Sequence, residues 1–182
     1  MPPIIHLIRH AQGYHNLTLA NHTLHDPLLT PLGISQCEAL ASSFPFTDRI
    51  DLIVASPLKR TIYTALHTFA SLLAQNPHMR VVALPEIQET SDLPCDTGSD
   101  IEELRREFKG KPVDLSLVTE GWNSKKGPWA PEADEINERG RQARVWLRER
   151  KGSNIAVVTH GGFLHYFTED WTGCEKFVGE FA

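Results

Sequence analysis

Residues 4–10 read IIHLIRH, an apolar run that ends in an arginine and a histidine. Three more short apolar runs follow along the chain, at 52–55, 81–84 and 155–158. All of them are nearly continuous and rich in β-branched residues, which is typical of strands that helices cover on both faces. We therefore expect four buried, mostly parallel strands.

Segments with helical periodicity alternate with these runs. Thr30 and Ser56 each stand before a proline, and an N-cap residue followed by proline at the first helical position predicts a helix start. We expect helices over 31–43, 57–73, 99–110, 132–150 and 163–171, the third beginning with a capping box at Ser99. Strands that alternate with helices predict an α/β fold, a single three-layer α/β/α domain over 1–182 with a mostly parallel central sheet.

The composition limits the classes of function. The chain has 182 residues, 41% of them hydrophobic, and a formal net charge of −5. This charge argues against a nucleic-acid or membrane-surface binder, which would carry a basic excess. No apolar run approaches the ~20 residues that cross a bilayer, and the N-terminus lacks a secretory signal. Three widely spaced cysteines indicate reduced thiols, so we expect a soluble cytoplasmic protein.

Chemically distinctive residues follow each predicted strand. Arg9 and His10 follow the first, Arg60 lies one turn beyond the second, Glu86 to Glu89 follow the third, and His160 follows the fourth. The carboxyl ends of parallel strands meet at one edge of a sheet, where open α/β folds bind ligands. We therefore expect two histidines, two arginines and a carboxylic acid to converge there.

This set of residues suits phosphoryl transfer. Guanidinium groups match the oxygens of a phosphate, and a neutral imidazole aimed at phosphorus can act as a nucleophile. A carboxylic acid nearby can protonate the leaving alcohol and then activate water. The scheme needs neither a metal nor another cofactor.

LIRHAQGYHN (7–16) resembles the signature of the histidine phosphatase superfamily, in its phosphoglycerate mutase-like branch. Each block would be weak evidence alone, but the blocks occur in the family's order and extend over nearly the whole chain. The other matching blocks are DPLLTPLGISQ (26–36), ASPLKRTIYTA (55–65), PEIQE (85–89) and VVTHGG (157–162).

The sequence departs from the family's pattern at three places. Ala11 replaces a glycine, and Gln12 stands where mutases of the family usually carry an acid. The final stretch CEKFVGEFA (174–182) is compressed, so we expect the last strand of the sheet to be short or displaced.

The resemblance implies a role for each matching residue. His10 would be the phosphorylated nucleophile, and Glu89 would be the proton donor, with Glu86 as the alternative. The residues that would bind the phosphoryl group are Arg9, Asn16, Arg60, His160 and Gly161, the last together with Gly162 in a tight turn whose backbone approaches the phosphate.

Other polar residues have simpler interpretations. The segment 120–131 (EGWNSKKGPWAP) is either a surface connection or a substrate lid, whose residues Trp122, Lys125, Lys126 and Trp129 would select the leaving group. The arginines from 139 to 150 indicate a solvated helix face. Ser56 is interpreted mainly as an N-cap. A metal site built from His6, His15, His22 and His25 matches no zinc spacing, and His15 has no assigned role.

The preferred hypothesis is a metal-independent phosphatase acting on a small-molecule phosphomonoester. Two alternatives stay open: phosphoglycerate mutase-type transfer, and a catalytically silent module that binds a phosphorylated ligand or a partner protein. The family's glycolytic mutases are longer than this chain, and a silent member would be expected to lack the nucleophile or an arginine. The sequence leaves the oligomeric state open.

Overall fold

Five parallel strands form the sheet in the computed structural model, which describes residues 2–150 and 153–169. Their order is β1-β5-β2-β3-β4. The strands are β1 (Ile4–Arg9), β2 (Leu52–Ala55), β3 (Val81–Ala83), β4 (Val113–Asp114) and β5 (Asn154–Thr159). The parallel sheet is confirmed. The two-residue strand β4 at the edge was not predicted, because so short a segment carries no periodicity.

Helices cover both faces of this sheet, which confirms the three-layer α/β/α arrangement. They are α1 (Pro31–Ser43), α2 (Lys59–Thr68), α3 (Ala70–Gln75), α4 (Ile101–Glu107), α5 (Ala133–Arg148) and α6 (Gly161–Thr168). Alternate residues of β5 enter two separate cores. Ala156 and Val158 pack with α2, α3 and α4, whereas Ile155 and Val157 pack with α5 and α6. Among the described residues, no helix is long and apolar enough to cross a membrane.

The cap of α1 agrees with the prediction. The Thr30 side chain accepts a hydrogen bond from Gly33 N at 3.0 Å, and Pro31 occupies the first turn. A Cβ at Gly33 would lie 2.2 Å from the Gln12 carbonyl oxygen. The start of α1 therefore packs directly against the segment that follows β1.

Two other predicted helix starts are wrong. α2 begins at Lys59 rather than after Ser56, and it is separated from α3 at Phe69. The Ser56 hydroxyl lies instead 2.9 Å from His160 Nε2. The cap of α4 is Asp100 rather than Ser99, because the Asp100 carboxylate accepts from Glu103 N at 2.7 Å.

α6 begins at Gly161, two residues before the predicted start, and ends at Thr168. Gly161 and Gly162 are therefore the first residues of a helix and do not form a separate tight turn. The predicted continuation of this helix to Trp171 and the compressed stretch 174–182 lie outside the described residues.

Candidate active site

The carboxyl edge of the sheet brings two histidines and one arginine into contact. His10 follows β1, His160 follows β5, and their ring centroids are 5.2 Å apart. Arg60, in the first turn of α2, donates from Nε to His10 Nε2 at 3.2 Å. Its Nη2 donates to His160 Nδ1 at 3.1 Å. One fully buried guanidinium thus connects the two imidazoles.

Hydrogen bonds define the protonation state of His10. Its Nδ1 lies 2.7 Å from the Ala11 carbonyl oxygen, which can only accept, so Nδ1 carries the proton. Nε2 then has the lone pair, because it accepts from Arg60. Burial, followed by the charge of Arg60, lowers the pKa of His10 well below 6.5. The ring is therefore neutral at neutral pH, with its lone pair on Nε2.

His160 is also held as a neutral ring. Its Nδ1 accepts from Arg60, and its Nε2 lies 2.9 Å from Ser56 Oγ, to which it donates. Burial and the charge of Arg60 lower the pKa of His160 well below 6.5. Both ring nitrogens are thus used by protein groups in this structure.

Asp96 orients Arg60. Its Oδ1 lies 2.9 Å from Arg60 Nη2, and its Oδ2 accepts from Ser91 Oγ at 2.6 Å. The Cys95 carbonyl oxygen accepts from Arg60 Nη1 on the same turn. The sequence analysis missed Asp96, because nothing in the local pattern distinguishes it from the other acids between 86 and 103.

The Arg9 guanidinium lines a cavity. Its Nε is buried and has no hydrogen-bond partner among residues 2–150 and 153–169. The cavity has a volume of about 290 Å³ and is lined by Arg9, His10, Gln12 and Asn16. The Asn16 Oδ1 accepts from Gly13 N at 2.9 Å, which orients the amide. A cavity that combines an unpaired guanidinium with a neutral imidazole is suited to an anion.

Glu89 lies beside the start of α6. Its Oε1 accepts from Thr90 N at 2.9 Å and from Phe163 N at 3.1 Å. Burial, followed by the charge of Asp96, raises the pKa of Glu89. A Cβ at Gly162 would lie 2.6 Å from Glu89 Oε1. The helix therefore needs a glycine there to accommodate the carboxyl group.

Glu86 occupies a different environment. It lines a separate surface cavity with Arg141, Trp146 and Glu149 on α5 and the residue after it. Burial also raises the pKa of Glu86. The other residues that line this cavity are not among the predicted site residues.

The arginines of α5 are not all solvated, contrary to the prediction. Arg139 is buried, and its Nη1 donates to the carbonyl oxygens of Glu86 and Gln88, at 3.0 Å each. Burial lowers the pKa of Arg139 to about 10. Arg139 thus fixes the backbone that leads to Glu89, whereas Arg141 is exposed and pairs with Glu138 as expected.

The four proposed selector residues in segment 120–131 lie in different environments. Trp122 is fully buried and donates from Nε1 to the Ser99 carbonyl oxygen at 3.2 Å, so it belongs to the core. Lys126 is exposed, and Trp129 is half-buried. Lys125 donates from Nζ to the Glu89 carbonyl oxygen at 3.0 Å, and burial lowers its pKa to about 8.

His15 is a second residue whose position the sequence did not reveal. It is 6% exposed, and its ring centroid lies 5.3 Å from that of His10. The four histidines considered as metal ligands do not form a cluster: within 2–150 and 153–169, no group of three or more His, Cys, Asp or Glu side chains could hold a metal ion.

Known proteins resemble this chain over most of its length. Phosphoglycerate mutase-like protein 1 of Arabidopsis thaliana is 30% identical over 197 residues, covering 89% of this chain and 69% of that protein. The putative phosphoserine phosphatase 2 of Hydrogenobacter thermophilus is 30% identical over 171 residues, covering 88% of this chain and 74% of that protein.

Solved structures share the fold. The ecdysone phosphate phosphatase of Bombix mori superposes with a TM-score of 0.64 at 19% identity, covering 91% of this chain and 75% of that one. The phosphoglycerate mutase of Bacillus anthracis gives a TM-score of 0.60 at 16% identity, covering 91% and 78%. The sequence pattern of the histidine phosphatase superfamily (branch 1) matches residues 5–177. The chain therefore belongs to this superfamily, as the resemblance implied.

Proposed function

We propose that this protein hydrolyses small phosphomonoesters through a phosphohistidine on His10, without a metal. The observation that carries the proposal is the state of the His10 ring. Its Nδ1 proton is held by the Ala11 carbonyl oxygen, and its Nε2 lone pair lies beside Arg60. A neutral, oriented imidazole next to an unpaired Arg9 is what attack on a phosphoryl group needs.

In the first step, Arg9 and Arg60 bind the phosphoryl oxygens. The Arg60 Nε proton that now faces His10 Nε2 turns to the substrate and frees the lone pair. Nε2 forms a bond to phosphorus while the bond to the leaving oxygen breaks. The imidazole becomes positively charged, and the Ala11 carbonyl oxygen stabilises that charge through the Nδ1 proton.

Glu89 donates a proton in the first step and accepts one in the second. The raised pKa of Glu89 favours the protonated carboxyl group, which can give its proton to the leaving oxygen. The resulting carboxylate then takes a proton from the water that attacks the phosphohistidine. That attack releases phosphate and restores His10 and Glu89.

The remaining proposed ligands complete the phosphoryl site. Asn16 lines the same cavity as Arg9, which supports a contact with a phosphoryl oxygen. Gly161 is the first residue of α6, and the N-terminus of a helix favours the binding of an anion. On substrate binding, His160 would take the tautomer with the proton on Nδ1, which donates to a phosphoryl oxygen, while Nε2 accepts from Ser56 Oγ.

Hydrolysis is favoured over mutase-type transfer. Gln12, which replaces the acid of mutases, is neutral, and its Oε1 accepts from Thr30 Oγ1 at 2.8 Å. The phosphoserine phosphatase of Entamoeba histolytica, 19–22% identical, has been solved with phosphoserine and with 3-phosphoglyceric acid. These complexes support a small-molecule substrate, as does a cavity of about 290 Å³. The net charge of −5 argues against nucleic acid.

We also propose that residues 1–182 form a single histidine phosphatase domain in the cytoplasm. The family match over 5–177 supports the first part. The second part is supported by Cys37 and Cys95, which are buried free thiols, as a reducing compartment would leave them.

Hydrolysis of p-nitrophenyl phosphate, with and without EDTA, tests this function. The wild type should keep its activity in EDTA, His10→Ala should abolish it, and the exposed, distant His78→Ala should leave it unchanged. Activity in His10→Ala, or activity that EDTA removes and a metal restores, would contradict the proposal. A folded wild type that binds phosphate but hydrolyses no ester would instead indicate a silent binding module.

A further inference from the structure

His15 lies beside the nucleophile, and neither the fold nor the proposed mechanism accounts for it. It belongs to the short helical turn of residues 14–16 that follows β1. Its ring is tilted by 47° against that of His10, with centroids 5.3 Å apart. At 6% exposure the side chain is almost completely buried.

The hydrogen-bonding capacity of His15 is unused. A neutral imidazole has one N–H donor and one acceptor nitrogen. Nδ1 is buried without a partner, and Nε2 makes no hydrogen bond to any residue in 2–150 or 153–169. Buried polar groups nearly always have partners, because an unpaired one destabilises the fold. An aromatic hydrocarbon at position 15 would fill the same space without this cost.

Gly13 makes room for this particular ring. Its backbone angles, φ −98° and ψ 165°, are open to any residue, so conformation does not require glycine here. A Cβ at position 13 would, however, lie 2.8 Å from both Cε1 and Nδ1 of His15. The Nδ1–Cε1 edge thus faces Gly13, and Nε2, which is bonded to Cε1, lies at the end of that edge.

The charges around His15 are those of the phosphoryl site. Burial and the charge of Arg60 lower the pKa of His15 to about 3, with a smaller contribution from Arg9. The ring is therefore neutral at working pH and acts through an N–H, not through a charge. Because an unpaired buried N–H costs more than an unpaired lone pair, the proton belongs on Nε2 and the lone pair on the enclosed Nδ1.

We propose that His15 is a further ligand of the substrate, donating its Nε2 proton to an oxygen of the phosphoryl group attacked by His10. The inference rests on the proposed function, because it needs a phosphoryl group beside Arg9 and Arg60. It explains why the chain keeps an imidazole, and a glycine that accommodates it, at a site where its hydrogen bonds are otherwise lost.

Calorimetric titration with inorganic phosphate tests the inference without needing turnover. His15→Phe keeps an aromatic ring but removes the donor, His15→Asn keeps a shorter donor, and His67→Phe is the matched control on α2, where His67 stacks on Tyr63. We expect His15→Phe to weaken the Kd for phosphate roughly 10- to 100-fold, the loss typical of one hydrogen bond to a charged group. His15→Asn should recover part of the loss, and His67→Phe should bind as the wild type does.

A second readout uses the wild-type protein alone. In ¹⁵N-labelled protein, saturating phosphate should shift the His15 Nε2 resonance and slow the exchange of its proton. If the wild type binds phosphate but this resonance stays unchanged and His15→Phe keeps the Kd, the inference is wrong and the proposed function stands. If the wild type binds no phosphate, both are wrong. If His15→Phe does not fold, the Nε2 resonance of the wild type and the phosphate Kd of His15→Asn test the inference.

Discussion

Glu89 and Glu86 are three residues apart, and their surroundings assign them different chemistry. Glu89 accepts a hydrogen bond from Phe163 N, and burial and the charge of Asp96 raise its pKa, whereas Glu86 lines a surface cavity with Trp146. The lowered pKa of His10 and the raised pKa of Glu89 leave a neutral nucleophile and a protonated acid together in mildly acidic solution. We expect the rate to be highest there.

Replacing each acid by its amide distinguishes the role of Glu89 from that of Glu86. Glu89→Gln should lower kcat/KM, which reports the phosphorylation step, by about 10²- to 10⁴-fold for an alkyl phosphate, the usual contribution of a general acid. The loss should be much smaller for p-nitrophenyl phosphate, because p-nitrophenolate leaves without a proton. Steady-state kinetics on both substrates measure the difference.

Glu86→Gln is the control and should change neither rate appreciably. Equal losses of kcat/KM on the two substrates in Glu89→Gln would mean that Glu89 does not protonate the leaving oxygen. A selective loss on the alkyl phosphate in Glu86→Gln would transfer the acid role to that residue.

At the scale of elements, the first turn of α6 packs closely against the Glu89 carboxyl group. A Cβ at Gly162 would lie 2.6 Å from Glu89 Oε1 and 2.9 Å from Thr90 Oγ1. Gly162→Ala should therefore displace the carboxyl group and lower kcat/KM by at least 10-fold, a shift of the acid sufficing for such a loss. In α5, Gly140→Ala meets nothing closer than 3.5 Å and should leave kcat/KM unchanged.

Activity and thermal unfolding of the two variants, measured side by side, check this prediction. Gly140→Ala should keep or raise Tm, because alanine is the better helix former. Full activity in Gly162→Ala would show that Glu89 can move without consequence.

Sequence patterns predicted those elements whose ends are set locally. The N-cap Thr30 and the apolar strands are examples, since their signals lie within a few residues. Ser56 was misassigned because its hydroxyl is engaged by His160, 104 residues away. Arg139 was expected in solvent, but carbonyl oxygens of Glu86 and Gln88 hold it inside. Such long-range contacts have no local signal.

The same limit applies to the site. The ends of the strands predicted which residues meet, because parallel topology alone brings them to one edge. Asp96 and His15 were not found, since their roles depend on contacts with Arg60 and Gly13 that only the folded chain creates. Asp96 belongs to none of the quoted motifs, and His15 lies in LIRHAQGYHN (7–16), where the resemblance implies no role for it.

For the whole molecule, burying neutral histidines makes stability depend on pH. The pKa values of His10, His15 and His160 are lowered from 6.5, so the unfolded chain binds protons below pH 6.5 that the folded chain does not. The free energy of unfolding therefore falls as the pH drops through this range. The raised pKa values of Glu86 and Glu89 act in the opposite direction, stabilising the fold at low pH.

Comparison with His15→Phe isolates one of these contributions. The pKa of His15 in the folded protein is about 3. Lowering the pH from 7 to 5 should therefore reduce the free energy of unfolding of the wild type by about 2 kcal/mol more than that of the variant. Urea unfolding at several pH values gives this difference, and any constant effect of the phenylalanine cancels. A difference that does not change with pH would mean that His15 takes up its proton in the folded state as readily as in the unfolded chain.

The central claim concerns one covalent bond, between His10 Nε2 and phosphorus. Mass spectrometry of the protein after rapid mixing with substrate and quenching in base tests it most directly, since phosphohistidine is labile in acid. We predict the added mass of one phosphoryl group on the peptide that contains His10, absent in His10→Ala. Turnover of substrate without any such species, or with the phosphoryl group on another residue, would contradict the account.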